Sequence, residues 1–195
     1  GRNEKMSKSK HNVVDPNDII QGYGADTARL FMLFAAPPEQ DLEWNDNGID
    51  GAWRFINRLW RMVQEVVALP SHPPARTMPD DPALRALRRK THETVEKVTR
   101  DVQRFQFNTG ISAVMELVNA ANEWLTPTVA PGLSAEALSV LREAAEMAVI
   151  LLNPYVPHVT EELWQRLGHA TPLSHHQWPQ ADPEALRREE ITLVI

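Results

Sequence analysis

The sequence contains no cysteine, which excludes disulfides and thiolate metal sites. No run of eighteen apolar residues occurs and no leader opens the chain, so neither a membrane span nor a secretory signal is expected. The reading is of a soluble, cytoplasmic chain. Glycine is sparse, and no glycine-rich turn offers backbone amides to phosphate at a helix N-terminus. The seven histidines show no ligand spacing with carboxylates. His169, His175 and His176 are clustered in a loop with nothing beside them to complete a tetrahedral site, so no metal is expected. There is no Ser/His/Asp pattern, internal repeat or low-complexity tract. The first residue is Gly1 rather than methionine, and the chain is expected to be a piece of a longer protein.

What is present is enough for a folded core. A chain of 195 residues should remove about 70% of its unfolded surface from water, in one domain or one and a fragment. The net charge of −6 argues on its face against a nucleic-acid partner, but the charge is unevenly spread. Residues 1–50 and 105–195 are acidic, whereas 51–104 carry 11 basic and 6 acidic side chains.

Chemistry is concentrated in Lys5-Met6-Ser7-Lys8-Ser9, extended to Lys10. Two ammonium groups three residues apart, with hydroxyls beside them, suit a polyphosphate: lysine is a mobile point charge and serine donates to non-bridging oxygens. The plainer account is a solvated Lys/Ser-rich tail.

Beyond the loop the periodicity is helical. Asp15-Pro16 supplies an N-cap and a proline at the first helical position, with Gly22 and Gly24 ending that helix. A second helix over 26–35 is apolar almost all round and is expected to be buried. Leu42-Glu43-Trp44 reads as a short strand. A helix at about 47–68 carries Ile49, Trp53, Ile56, Leu59, Trp60 and Val63 at bundle spacing. Five prolines in 70–82 make a semi-rigid connection. Asp81-Pro82 starts a helix running to Phe105, with a break near 107–110 and a further helix to Thr126-Pro127. Ser134 caps the next stripe, Pro157 starts a helix reaching Gly168, and Trp178-Pro179 anchors a loop over 169–183. Ile191–Ile195 reads as a strand. Trp53, Trp60, Trp124 and Trp164 are expected in the core. The fold class is mainly α, a helical bundle behind a small mixed N-terminal segment.

Within the basic block, Arg54, Arg58 and Arg61 fall on one helix face and Lys97, Arg100 and Arg104 on another, with Arg85, Arg88, Arg89 and Lys90 upstream. Such stripes can follow a phosphate backbone. The plainer account is a solvated helix surface with Glu93, Glu96 and Asp101 interleaved.

The string Lys-Met-Ser-Lys-Ser is identical to the signature loop of class I aminoacyl-tRNA synthetases. The segments KMSKSKHNVVDP, YGADTARLFMLFAAPPEQDLEW, GAWRFINRLW, FNTGISAVMELVN, LLNPYVPHVTEELW and the closing WP…ITLVI extend the likeness along almost the whole chain. The chain resembles the bacterial-type leucyl-tRNA synthetase family from its signature loop through its helical anticodon-binding domain. AAPPEQDLEW and ITLVI point to leucine; other segments are shared by relatives specific for isoleucine, valine or methionine.

The resemblance implies residues 1–44 as the loop and end of a catalytic region, 45–168 as the helical tRNA-docking domain, and 169–195 as a connector towards a further domain. It implies a ligase forming leucyl-tRNA, AMP and pyrophosphate from leucine, ATP and tRNA(Leu). Lys5, Met6, Ser7, Lys8 and Ser9 would contact ATP, with Mg2+ accompanying it as substrate, and Lys8 would stabilise the leaving pyrophosphate. Arg54, Arg58, Arg61, Lys97, Arg100 and Arg104 would face tRNA. A monomer is implied, with nothing bound to this piece, which by itself should be inactive. The class's other signature, His-x-Gly-His, is absent, and His11 stands where relatives often have asparagine. The remaining readings are a related class I specificity and a non-catalytic helical interaction module.

Overall fold

The computed structural model describes residues 5–11, 13–41 and 44–187. After a 3-10 turn at Lys8–Lys10 come two short helices, α1 (Pro16–Tyr23) and α2 (Ala25–Ala35). The bundle follows: α3 (Asp46–Ala68), α4 (Pro82–Gln103), α5 (Phe107–Trp124), α6 (Ala135–Leu152) and α7 (Pro157–Arg166), then the short α8 (Pro183–Leu186). Among the described residues there is no strand. Leu42, Glu43 and the expected C-terminal strand at 191–195 lie outside them, while Trp44 is described and is not in a strand.

Helix starts follow the caps. The Asp15 carboxylate accepts from the Asn17 amide at 2.9 Å, Asp81 from Ala83 at 2.7 Å, and the Ser134 hydroxyl from Ala137 at 3.2 Å. Gly24 joins α1 to α2 at φ 86°, a left-handed backbone that favours glycine.

The end of α4 departs from expectation. The break falls at 104–106, and residues 107–110 form the first turn of α5. Phe105 adopts φ 57°; its amide bonds to the Val102 carbonyl and that of Gln106 to Asp101. That is a Schellman ending with phenylalanine where glycine is usual, so no sequence signal marked it.

α6 is the central helix, buried around most of its circumference and rich in alanine at 144, 145 and 148, which lets its neighbours approach closely. α4 and α5 pack on it from one side, α3 and α7 from another. The core runs through Leu59, Met62, Val98, Leu117, Leu141, Val149, Leu152 and Leu163. α2 joins it at one face only. Leu30 and Phe31 are buried, with Phe31 edge-on to Trp44 at 5.2 Å and lying so close to Gly48 on α3 that a Cβ there would sit 2.6 Å from the ring. Met32 is 51% and Phe34 37% exposed, so α2 is half-buried rather than enclosed.

The segment after α7 is latched back onto α4. Trp178 Nε1 donates to Thr99 Oγ1 at 2.8 Å, which bears out its expected anchoring role. Buried Arg88 bridges Glu143 on α6 (2.9 Å) and Asp182 ahead of α8 (2.8 Å). His92 accepts the Asp182 amide on Nδ1 and so presents Nε2–H to Glu143, at 3.1 and 3.0 Å. Arg88 is thus a core residue and not part of a solvated stripe. The clustered histidines pack as well: His169 stacks on the Trp164 indole and bonds to Glu146, and His176 tilts against the same indole.

Candidate functional site

The loop expected to meet ATP is a tight turn. The Lys10 amide donates to the Ser7 carbonyl at 3.1 Å, and the Ser7 and Ser9 hydroxyls lie 3.2 Å apart. Lys5, Met6 and Ser9 are exposed and Ser7 is half-buried. Hydroxyls that close need only rotate to present two donors to one oxygen cluster.

What fixes this end of the molecule to the bundle is a pair of charges one turn apart on α2. α7 begins with a proline and has no side-chain cap of its own, because Val156 occupies the capping position. Asp26 supplies the cap from α2: Oδ2 accepts from the Val159 amide and Oδ1 pairs with His158 Nδ1, both at 2.7 Å. Arg29 reaches the opposite kind of helix end. It donates to the carbonyls of Tyr155 (3.1 Å) and Pro154 (3.0 Å), just past the C-terminus of α6. A carboxylate therefore meets the positive end of one helix dipole and a guanidinium the negative end of another. Sequence reasoning quoted both segments, YGADTARLF and NPYVPH, without joining them. The signal available was two opposite charges inside an otherwise apolar helix.

The basic residues separate into two groups. Arg54, Arg58 and Arg61 are exposed together on α3. Arg58 Nη1 donates to Asn119 Oδ1 on α5 at 2.7 Å, and Arg61 Nε weakly to its own helix at 3.4 Å. Arg58, Arg61, Glu65, Asn119, Asn122 and Thr126 line a groove between α3 and α5. Arg100 on α4 and Arg104 just past its end are exposed, but Lys97 is paired with Asp101 at 2.7 Å. Burial pushes the Asp101 carboxyl up, yet hydrogen bonds from Lys97 and Thr109 and the nearby Lys97 and Arg100 charges outweigh it and hold the group below the usual carboxylate range. α3 and α4 lie on either side of α5, whose outer face carries Asn119 bonded to Arg58 and Glu116 paired with Lys90. The six expected residues thus do not form one continuous stripe. Trp164 is buried and Trp60 and Trp124 half-buried as expected, but Trp53 is 46% exposed, beside Arg54.

Residues 85–195 match the family described as the anticodon-binding domain of tRNA ligase. The chain belongs to that family. Residues 1–45 match tRNA synthetases class I (I, L, M and V). Relatives that match over the whole chain are leucine–tRNA ligases: 56% identity to that of Magnetococcus marinus, covering 100% of this chain and 23% of the relative, and 54% to that of Geobacter sp. (strain M21), covering 98% and 23%. This member of the family thus spans about a quarter of the length of the curated relatives it matches. Among solved structures, it superposes with TM-score 0.78 and 28% identity on the Agrobacterium radiobacter K84 agnB2 LeuRS in a ternary complex with tRNA and LeuAMS, covering 94% of this chain and 23% of that one. Mycobacterium tuberculosis methionyl-tRNA synthetase bound by methionyl-adenylate shares the fold, with TM-score 0.71 and 23% identity, over 85% of this chain and 36% of that one. Among the described residues no helix is long and apolar enough to cross a membrane.

Proposed function

We propose that this chain is the part of a leucine–tRNA ligase that closes over ATP and docks tRNA, in a protein that makes leucyl-tRNA, AMP and pyrophosphate from leucine, ATP and tRNA(Leu). The observation that carries the reading is 56% identity to a leucine–tRNA ligase along the full chain, together with the intact Lys5–Ser9 string. ATP enters with Mg2+ as substrate. Lys5, Met6, Ser7, Lys8 and Ser9 contact its phosphates, and Lys8 places a cation where charge develops as the leucine carboxylate attacks the α-phosphorus and pyrophosphate leaves. A cation positioned there binds the transition state better than the ground state.

On this reading residues 1–44 close the catalytic side, 45–168 dock tRNA and 169–195 lead onward, in a monomeric cytoplasmic enzyme. The exposed Arg54, Arg58 and Arg61, with Lys97, Arg100 and Arg104 across α5, make phosphate contacts that position the tRNA without reading its sequence. The test is charging by the full-length protein with ATP, Mg2+ and tRNA. Leucine should be esterified to tRNA(Leu); charging with isoleucine, valine or methionine in its place, or none at all, would overturn the reading.

A further inference from the structure

The six tryptophans are not equivalent. Trp44 lies edge-on to Phe31, Trp60 carries the Arg166 guanidinium 4.8 Å from its ring centroid, and Trp164 stacks with His169. Trp178 bonds to Thr99, and Trp124 packs half-buried against the core. Trp53 is the most exposed of them, and among the described residues no ring, cation or hydrogen-bond partner meets its indole.

A single exposed hydrophobe is ordinary. What distinguishes this one is its row. Four-residue spacing sets Trp53, Asn57 and Arg61 in line along the outer face of α3, with Arg54 and Arg58 in the adjacent row. The polar members are held along the helix or towards α5 and not onto the indole: Asn57 Nδ2 donates to the Trp53 carbonyl at 2.8 Å, Arg61 Nε to that of Asn57, and Arg58 to Asn119. A flat ring is therefore left open in water with cations beside it and one and two turns further on. A protein partner would call for a ring of exposed apolar neighbours; here Ile49 is buried, Ile56 half-buried, Asp50 accepts from the Tyr23 hydroxyl, and the row beyond the indole is asparagine and arginine. An unpaired stretch of nucleic acid calls for this combination, with a base on the ring and phosphates on the cations.

We propose that Trp53 is a stacking platform for an unpaired base of the bound tRNA, with Arg54 and Arg58 on the flanking phosphates. The proposal rests on the tRNA-docking reading above and adds a second kind of contact to it. Phosphate contacts give affinity that falls with salt; a stacked base gives affinity that salt hardly touches.

The experiment is tRNA binding by the full-length ligase across a salt series, comparing wild type with Trp53→Ala, Trp53→Phe and the triple alanine variant at Arg54, Arg58 and Arg61. Trp53→Ala should bind about five- to a hundredfold more weakly with the wild-type salt slope, and Trp53→Phe should recover most of the loss. The triple variant should flatten the slope by up to about two to three in log–log terms. Wild-type affinity in Trp53→Ala, or equal loss in both Trp53 variants, overturns the stacking role. If the triple variant flattens the slope in that case, docking through this face survives without it. If the triple variant also titrates as wild type, the docking face itself is given up.

Discussion

On the role proposed for Lys8, its replacement by alanine in the full-length protein should remove one positioned charge from the departing pyrophosphate. Loss of a comparable electrostatic donor costs roughly 3–4 kcal/mol, about 10²–10³ in rate. Stopped-flow leucine activation should show the loss in kcat with leucine KM little changed, while single-turnover transfer from preformed adenylate should suffer much less. Equal damage to both steps would remove the specific role given to Lys8. A second single-residue effect lies in the core. The Tyr155 hydroxyl is buried and finds no hydrogen-bond partner among the described residues. Burial, with the Asp101 charge adding to it, pushes its phenol up to about 12. The folded value lies above the ordinary one of 10.0, so the neutral phenol's contribution is intact below pH 10 and is lost as pH rises from there through about 12. Two units correspond to about 3 kcal/mol at most. Tyr155→Phe should flatten the fall of chemical-denaturation stability over that range; an unchanged alkaline slope would show that the phenol ionises without penalty. The sequence announced Lys8 through a literal string, but it gave no warning of Tyr155, whose burial depends on where α4 and α5 happen to cross.

At the scale of elements, the caps were readable, and so were the ends of α1 at Gly24, α2 at Ala35 and α3 at Ala68; the end of α4 was not. Asp15, Asp81 and Ser134 start helices where their side chains said they would. α4 ends early because Phe105, 62% exposed, takes a left-handed backbone that its own chemistry disfavours. Phe105→Gly should therefore stabilise the chain by about 0.5–1 kcal/mol, less whatever is lost from its edge contact with Phe107, and thermal unfolding would register the sign. The α2 clasp gives the opposite expectation. Asp26→Ala leaves α7 without its borrowed cap and should cost about 1–2 kcal/mol. The damage should be local: limited proteolysis should open α1 and α2 before the bundle, whereas uniform cleavage would mean that α2 is held by its apolar face alone. The basic stripes show the same limit of sequence reading. Periodicity places Lys97 and Arg58 on helix faces correctly, but only the packing order puts α5 between those faces, and only the structure pairs Lys97 with Asp101.

For the whole molecule, the bundle architecture was legible because five consecutive amphipathic helical patterns must bury their apolar stripes against one another. The return of the segment at 177–187 onto α4 was half legible. Trp178 signalled an anchor, whereas Arg88 looked like one more solvated cation and proves to be the buried tie between α6 and α8. On the proposed function, the polypeptide 1–195, about a quarter of the length of its relatives, should by itself give no leucine-dependent pyrophosphate exchange, since one lysine-bearing turn must bear its own ordering cost. Measurable exchange by purified 1–195 would contradict this.

The clasp between α2 and the α6–α7 corner also sets a clock on synthesis. Asp26 and His158 are 132 positions apart, so a ribosome adding roughly 5–20 residues per second needs roughly 7–26 seconds to deliver the second partner after the first. Throughout that interval α1 and α2 have their own hydrogen bonds but not the helix ends their charges are built to meet. α2 therefore acquires its polar hold on the bundle late in translation, when α7 leaves the exit tunnel and its bare N-terminus finds the waiting carboxylate.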